Sequence, residues 1–418
     1  MCPAESSRAS RPDRRSSPRD IVYLVAPGGH PNYGDEFILR AWLNHLARVR
    51  PDAQVVVDCH TPGQAAVLLA GCHRHVTFVD TIWRICFATA HLEPAEAIAT
   101  AARVVGDPGQ MPKLVSGIEM LAAAQTVHLI GGGYINMVWP HHLALLAAAT
   151  AAAQCSRGRA VATGQGLMPV GVPEREALLR ELQVQFALFD VRDTPSARAV
   201  AGAGGDVSCT GDDAWLGIRD RDVYDTESAA AQRPFGFCLQ SDLMDDFADG
   251  RGTDGLTEAV AALVDTWGIG GDEVVVVEAI PGADRLVYDR IAHRLPGAIF
   301  VPFTELWRRG LPARPGQTWI STRFHVHLLA AAAGASGLAP PGRIDYYPVK
   351  HQSLIDAGSH WQILDSTNPP AAPTRSGGFD PDTVNRLHQG KAALADRIYP
   401  PPSWRRRGLT TLRSVTAR

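Results

Sequence analysis

The chain has 418 residues and a formal net charge of −3, with 45% hydrophobic and 20% charged residues. That length exceeds one ordinary hydrophobic core and predicts two domains of a globular protein. The near-neutral balance excludes a global basic field of the kind that draws proteins onto nucleic acid, and no apolar run approaches the ~18 residues of a spanning helix.

The N-terminus carries Arg8, Arg11, Arg14, Arg15 and Arg19. Residues 1–18 read as a disordered basic arm. Residues 21–26 are apolar over the length of a strand and show no small-residue cleavage site, so the expected location is cytoplasmic. A helix follows over residues 35–49, with apolar residues at Phe37, Ile38, Ala41, Trp42 and Leu46. Short apolar runs at 55–57, 127–130, 160–163 and 186–191 predict further strands. The pattern restarts past Asp212 with runs at 236–239, 273–277, 298–301 and 318–321. Continuous apolar strands separated by helices imply parallel sheets covered on both faces. The expected fold is therefore α/β, with two Rossmann-like domains facing across a cleft. Their expected bounds are 19–205 and 206–365. Residues 366–418 read as a Pro-rich segment, one last helix and a basic tail containing Trp404 and Arg405 to Arg407. At most that tail makes a weak peripheral membrane contact.

Seven scattered cysteines, none in a C-x-x-C, give neither a disulfide framework nor a zinc site. Residues 29–34 have the glycine spacing of a P-loop, but Asp35 and Glu36 stand where lysine and a hydroxyl residue should be. Gly164, Gln165 and Gly166 lack the third glycine of a dinucleotide site. The His pairs at 73/75, 141/142 and 325/327 read as core or solvated histidines, so no metal is expected.

Other segments suggest a site. Arg323 and His325 fall where a strand hands over to a helix N-terminus, a position that favours an anion. Lys350 follows about one helix later. Arg192 ends another strand and is suited to bidentate binding of carboxylate or phosphate. Gly132 and Gly133 close one strand, and Gly164 to Gly166 close the next, which would let a ligand or a facing backbone approach. Asn32, Asp35 and Glu36 lie in the first strand–helix loop, as a cap or as a polar cleft edge. Asp212 sits at the domain junction, as a hinge turn or as a carboxylate facing an acceptor.

Taken in order, residues 32–36, 130–133, 164–166, 191–193 with Ser196, Asp212, 323–325 and Lys350 resemble the polysaccharide pyruvyl transferase family. Asp213 stands where that family usually has proline. The resemblance implies a GT-B-like fold and transfer of pyruvyl from phosphoenolpyruvate onto a sugar as a ketal. It implies donor binding by Arg192, Arg323, His325, Lys350, Gly132, Gly133 and Gln165, with Arg192, His325 and Lys350 as catalytic residues. His325 would move the proton, acting first as either acid or base. Asn32, Asp35, Glu36 and Asp212 are the acceptor-side candidates. The expected partners are phosphoenolpyruvate and a saccharide or lipid-linked saccharide, with no further cofactor. Two rival readings share the architecture: a nucleotide-sugar glycosyltransferase and a non-catalytic anion- or glycan-binding protein.

Overall fold

The computed structural model describes residues 20–343, 347–364, 369–374 and 377–401. The basic arm and the tail with Trp404 lie outside the described residues. The first sheet contains β1 (Ile21–Val25), β2 (Gln54–Asp58), β3 (Val76–Val79), β4 (Thr126–Leu129), β5 (Arg159–Gln165), β6 (Leu188–Val191) and β7 (Val207–Cys209). Its order is β3-β2-β1-β4-β5-β6-β7. Every neighbouring pair is parallel. The second sheet contains β8 (Phe235–Cys238), β9 (Val274–Val277), β10 (Ile299–Val301), β11 (Thr318–Ser321), β12 (Ser336–Ala339) and β13 (Gln362–Ile363). Its order, β10-β9-β8-β11-β12-β13, repeats the same winding, again all parallel. In each sheet the order reverses beside the first strand of the unit. Ligands of such sheets bind at the carboxyl ends of the strands there.

Both faces of each sheet are buried. Along β1, Tyr23 and Val25 enter one core while Val22 and Leu24 enter another. In the second sheet Phe237 and Val276 face one core, and Val275 and Val277 the other. The core that takes Val22 and Leu24 also takes Val275, Val277, Trp319 and Phe324. The two units thus share one continuous apolar core, which fixes their mutual orientation.

Four strands fall outside the runs predicted from the sequence. β12 reads Ser-Gly-Leu-Ala, with no β-branched residue. Its Gly337 is pressed between neighbours: an added Cβ would lie 2.6 Å from the Trp319 carbonyl and 2.7 Å from the Trp361 ring. Packing, not propensity, makes that strand. β3, β7 and β13 are short edge or near-edge strands with partly exposed residues.

The last helix, Pro381–Ile398, returns to the first unit. Its Lys391 is fully buried, with Nζ 2.8 Å from Asp190 Oδ2 and 2.9 Å from Asp213 Oδ1. Burial works against the ammonium, but the two carboxylates outweigh it and raise its pKa. Tyr399 Oη lies 3.1 Å from His128 Nδ1 on β4, and Trp215 packs edge-on against Phe379. Lys391→Met would leave two buried carboxylates without their cation. We expect a loss of roughly 3–5 kcal/mol in urea unfolding; a loss below about 1 kcal/mol would show that the triad does not hold this helix in place.

Candidate active site

The carboxyl ends of the two sheets face each other across a cleft of about 560 Å³. Asn32, Gly34, Asp35, Gly133 and Arg192 line it from the first unit, and Arg323, His325 and Lys350 from the second.

His325 is set by the handover from β11 to the helix Phe324–Ala332. Arg323 is the extended N-cap residue, and Ser321 Oγ accepts from its backbone N–H at 3.2 Å. The imidazole Nε2 lies 3.4 Å from Asp212 Oδ1, an ion-pair distance. The other side of the ring rests on Gly34. A Cβ at position 34 would lie 1.8 Å from His325 Nδ1. The glycine of the first loop is therefore the space that the histidine of the second unit occupies.

Arg192 follows the same logic. A Cβ at Gly166 would lie 2.4 Å from the Arg192 Cζ. The Arg192 Nε donates to Asp193 Oδ2 at 3.2 Å, while Asp193 Oδ1 caps the next helix by accepting from Ser196 N at 2.8 Å. Capping and positioning of the arginine are thus one arrangement. The guanidinium also stacks over Phe324 at 4.7 Å and lies 3.8 Å from Asp212 Oδ2. Asp212 is buried behind both side chains. Burial alone would raise its pKa, but His325, Arg192 and the Ala214 N–H pull it down to about 2.

Lys350, on the helix Tyr347–Asp356, is buried. Burial, then the charges of Arg192 and Arg323, push its pKa well below the usual lysine range, with Asp35 and Asp212 opposing. Asp35 moves the other way: burial raises its carboxyl despite His325 and Lys350. Asn32 Nδ2 donates to Asp35 Oδ2 at 2.8 Å. Arg323 Nη2 contacts Asp284 Oδ1 at 2.6 Å and Asp242 Oδ1 at 2.7 Å. Asp242 and Asp284 had no signal beyond following strands of the second unit.

A histidine relay ties the two helices together. His351 Nε2 lies 3.2 Å from the Thr322 carbonyl, so it carries the proton. His351 Nδ1 then accepts from His327 Nδ1–H at 3.0 Å, and His327 Nε2 accepts from Ser359 Oγ at 2.9 Å. Trp361 stacks on His327 at 4.2 Å. The relay fixes the helix of Lys350 against that of His325.

Four predicted residues do not line the cleft. Gln165 is buried behind it, its Nε2 donating to the carbonyls of Leu129, Ile130 and Thr163. Gly132 bridges to Gln165 in the sheet extension. Asp212 supports His325 and Arg192 rather than facing a ligand. Glu36 turns back: its Oε1 accepts from Gly29 N at 2.6 Å. The P-loop-like spacing therefore holds the chain's own carboxyl where an N–H would meet a phosphate. Gly131 and Gly164 likewise make room for a side chain, Asp213, at 2.8 and 2.5 Å from an added Cβ.

Among the described residues, Cys86, His141 and His142 come nearest to a metal-ligating set, with ligand atoms within 4.8 Å of one another. Burial pushes the Cys86 thiol up to about 12 and His142 down to about 3. Cys86 packs in the apolar core, while His142 lines the cleft.

A model of the polysaccharide pyruvyl transferase family matches residues 32–267. The chain belongs to this family. No curated protein matches it in sequence. In structure it is similar to a UDP-N-acetylglucosamine 2-epimerase, with 12% identity over 91% of this chain and 95% of that one and a TM-score of 0.50. It is also similar to the UDP-GlcNAc 2-epimerase from Neisseria meningitidis bound to UDP-GlcNAc, with 9% identity over 90% and 97% of the chains and a TM-score of 0.50. At these identities the likeness shows the fold alone, a GT-B arrangement of two Rossmann-like units. Among the described residues no helix is long and apolar enough to cross a membrane.

Two substitutions test the family member's site. Gly34 has helical backbone, where alanine by itself favours the helix. Gly34→Ala is expected to displace His325 and lower turnover at least ~100-fold with little change in unfolding midpoint; wild-type turnover would show that the ring's seat is unimportant. Glu36 is the second. Burial raises its carboxyl from 4.5 to about 7. The folded state therefore holds an extra proton between those values, and stability falls as pH rises through that window. Glu36→Gln removes this dependence. Its stability relative to wild type should improve by on the order of 2–3 kcal/mol between pH 4 and pH 8 in urea titrations; a constant difference would contradict the assignment.

Proposed function

We propose that the chain transfers pyruvyl from phosphoenolpyruvate to two hydroxyls of a saccharide, forming a cyclic ketal. Family membership supports pyruvyl transfer onto polysaccharide in general. The observation that carries the donor is that Arg192 from the first unit and Arg323, His325 and Lys350 from the second line one cleft, with carboxylates of the chain holding the two guanidiniums in place. A ligand bearing a carboxylate and a phosphate supplies the anion that this cluster favours, through charge-assisted hydrogen bonds worth roughly 1.5–3 kcal/mol each.

In the proposed reaction a proton is delivered to the methylene carbon, leaving the adjacent carbon electrophilic. One sugar hydroxyl adds there, phosphate departs, and a second hydroxyl closes the ring with loss of its proton. His325 is the proton carrier: it lines the cleft beside Lys350's neighbours and is oriented by a carboxylate, Asp212, that stays ionised. Asp35 fits the base that takes a proton from the attacking hydroxyl, since its raised pKa makes the carboxylate more basic than an exposed one. The cationic side chains can offset the phosphate's charge as it leaves.

Calorimetric titration with phosphoenolpyruvate, with UDP as the control ligand, tests this reading. Binding should weaken at least ~100-fold in Arg192→Ala and in Lys350→Ala. His325→Ala should bind within a few-fold of wild type and lose ~10²–10⁴ in turnover. Bound donor should raise the pH at which Lys350 loses its proton, because its charge opposes the burial that depresses the amine; a pH titration of Lys350 by NMR that is unchanged by donor would count against the contact. UDP binding without phosphoenolpyruvate binding would overturn the proposal in favour of a nucleotide-sugar enzyme.

A further inference from the structure

The cleft has two unlike walls. Its arginines, lysine and carboxylates gather around Lys350 and Arg323. A separate part of the first unit's lining contains Phe87, Trp139, His60 and His142. These side chains form one aromatic assembly. Trp139 stacks on His142 with ring centroids 5.9 Å apart and planes 11° apart. Phe87 lies 5.7 Å from the His60 ring and 6.3 Å from His142. Trp83, buried beneath, meets His60 and His142 edge-on at 4.0 and 5.2 Å. Phe87 is nevertheless 48% exposed. A large ring left half bare on the wall of a cleft is an unusual use of apolar surface for packing alone.

The buried imidazoles of this wall are neutral near neutral pH, because burial pushes His60 down to about 4 and His142 down to about 3. Its polar capacity is specific. His142 Nδ1 lies 2.7 Å from the Tyr134 carbonyl, so that nitrogen carries the proton and Nε2 is an acceptor. An aromatic face with a few placed hydrogen-bonding groups suits a molecule that is apolar on one side and hydroxylated at its rim. A pyranose ring has that form: its axial C–H bonds make an apolar face, and its hydroxyls project at the edge. A trianionic donor or a diphosphate has no reason to choose this wall.

We infer that this wall is the acceptor subsite, and that it takes an uncharged pyranose ring lying against Trp139 and Phe87. The inference rests on the proposed function for the word acceptor, while the ligand class follows from the wall itself. It moves acceptor recognition away from Glu36 and Asp212, which do not line the cleft, and leaves Asp35 to act on the hydroxyls rather than to select the sugar.

The test is saturation-transfer NMR on the full chain with methyl glycosides of glucose, galactose, mannose and N-acetylglucosamine, and with glucuronate and glucose 1-phosphate as charged counterparts. At least one neutral glycoside should show transfer to its ring C–H protons. The signal should fall at least ten-fold in Trp139→Ala and in Phe87→Ala and persist in Trp139→Phe, with unfolding midpoints matched to wild type. Phosphoenolpyruvate binding by calorimetry should stay within two-fold in the same variants. Transfer unaffected by Trp139→Ala, charged sugars bound as well as neutral ones, or no glycoside signal beside intact phosphoenolpyruvate binding would each overturn the subsite. Trp139-dependent glycoside binding without phosphoenolpyruvate binding would uphold the subsite and overturn the donor reading.

Discussion

One buried ammonium organises the carboxyl edge of the first sheet. Lys391 bridges Asp190 and Asp213, and each carboxylate then gathers its own set of donors. Asp213 Oδ2 accepts from Gly131 N, Thr163 Oγ1 and Trp42 Nε1. Asp190 accepts from Gly164 N, Ser208 Oγ and Thr210 N. The ends of β4, β5, β6 and β7 and the first helix are thereby tied to a helix from the far end of the chain. Asp212 is the next residue to Asp213, so its place behind His325 and Arg192 is inherited from the same triad. Burying three charges is costly, and the close ion pairs with the hydrogen bonds to Asp190 and to Asp213 Oδ2 offset it. What the triad yields is position rather than net stability.

Glycine and charge are complementary in this site. Glycines at the start of the first helix and at strand ends each receive a side chain from elsewhere: Gly34 the His325 ring, Gly166 the Arg192 guanidinium, Gly131 and Gly164 the Asp213 carboxylate. A glycine motif is often read as room for a ligand's phosphate. Here the room is taken by protein groups that face or support the cleft, and the ligand is left to the side chains. This also explains why P-loop-like spacing in residues 29–34 brings no nucleotide chemistry, since Glu36 already occupies the Gly29 N–H.

The alternation of apolar strands and helices was legible in the sequence, because parallel strands buried on both faces must be apolar along their whole length. Arg192, Arg323 and His325 were legible for a related reason: each stands just beyond a strand's carboxyl end, whereas Lys350, within the helix Tyr347–Asp356, was suggested by the family resemblance. Their partners were not. Asp284 and Asp242 reach Arg323 from other loops, and Lys391 reaches Asp213 from the last helix, so no local spacing encodes them. Asp213, at a position where the family usually has proline, looks like a defect in isolation. Its meaning appears only beside Lys391. Gln165 and Glu36 illustrate the converse, since a polar residue at a strand end can be consumed by backbone groups behind the cleft.

The charged wall is built away from its electrostatic optimum. Lys350 is pushed toward neutrality and the Asp35 carboxyl toward its protonated form by the same burial, and each is the other's partial remedy. Neither shift is relieved by packing, because the helix carrying Lys350 is fixed through the His327–His351 relay and Gly34 is filled by His325. A rigid frame that holds an amine and a carboxyl away from their ordinary charge states suits an anionic guest of the kind proposed. The aromatic wall has no such tension, being neutral and already stacked. The GT-B frame supplies the cleft, and the division between a strained charged wall and a relaxed aromatic one gives it direction. Under the proposed function, anion chemistry is confined to the side that gains from it, and the neutral side is left to hold a ring.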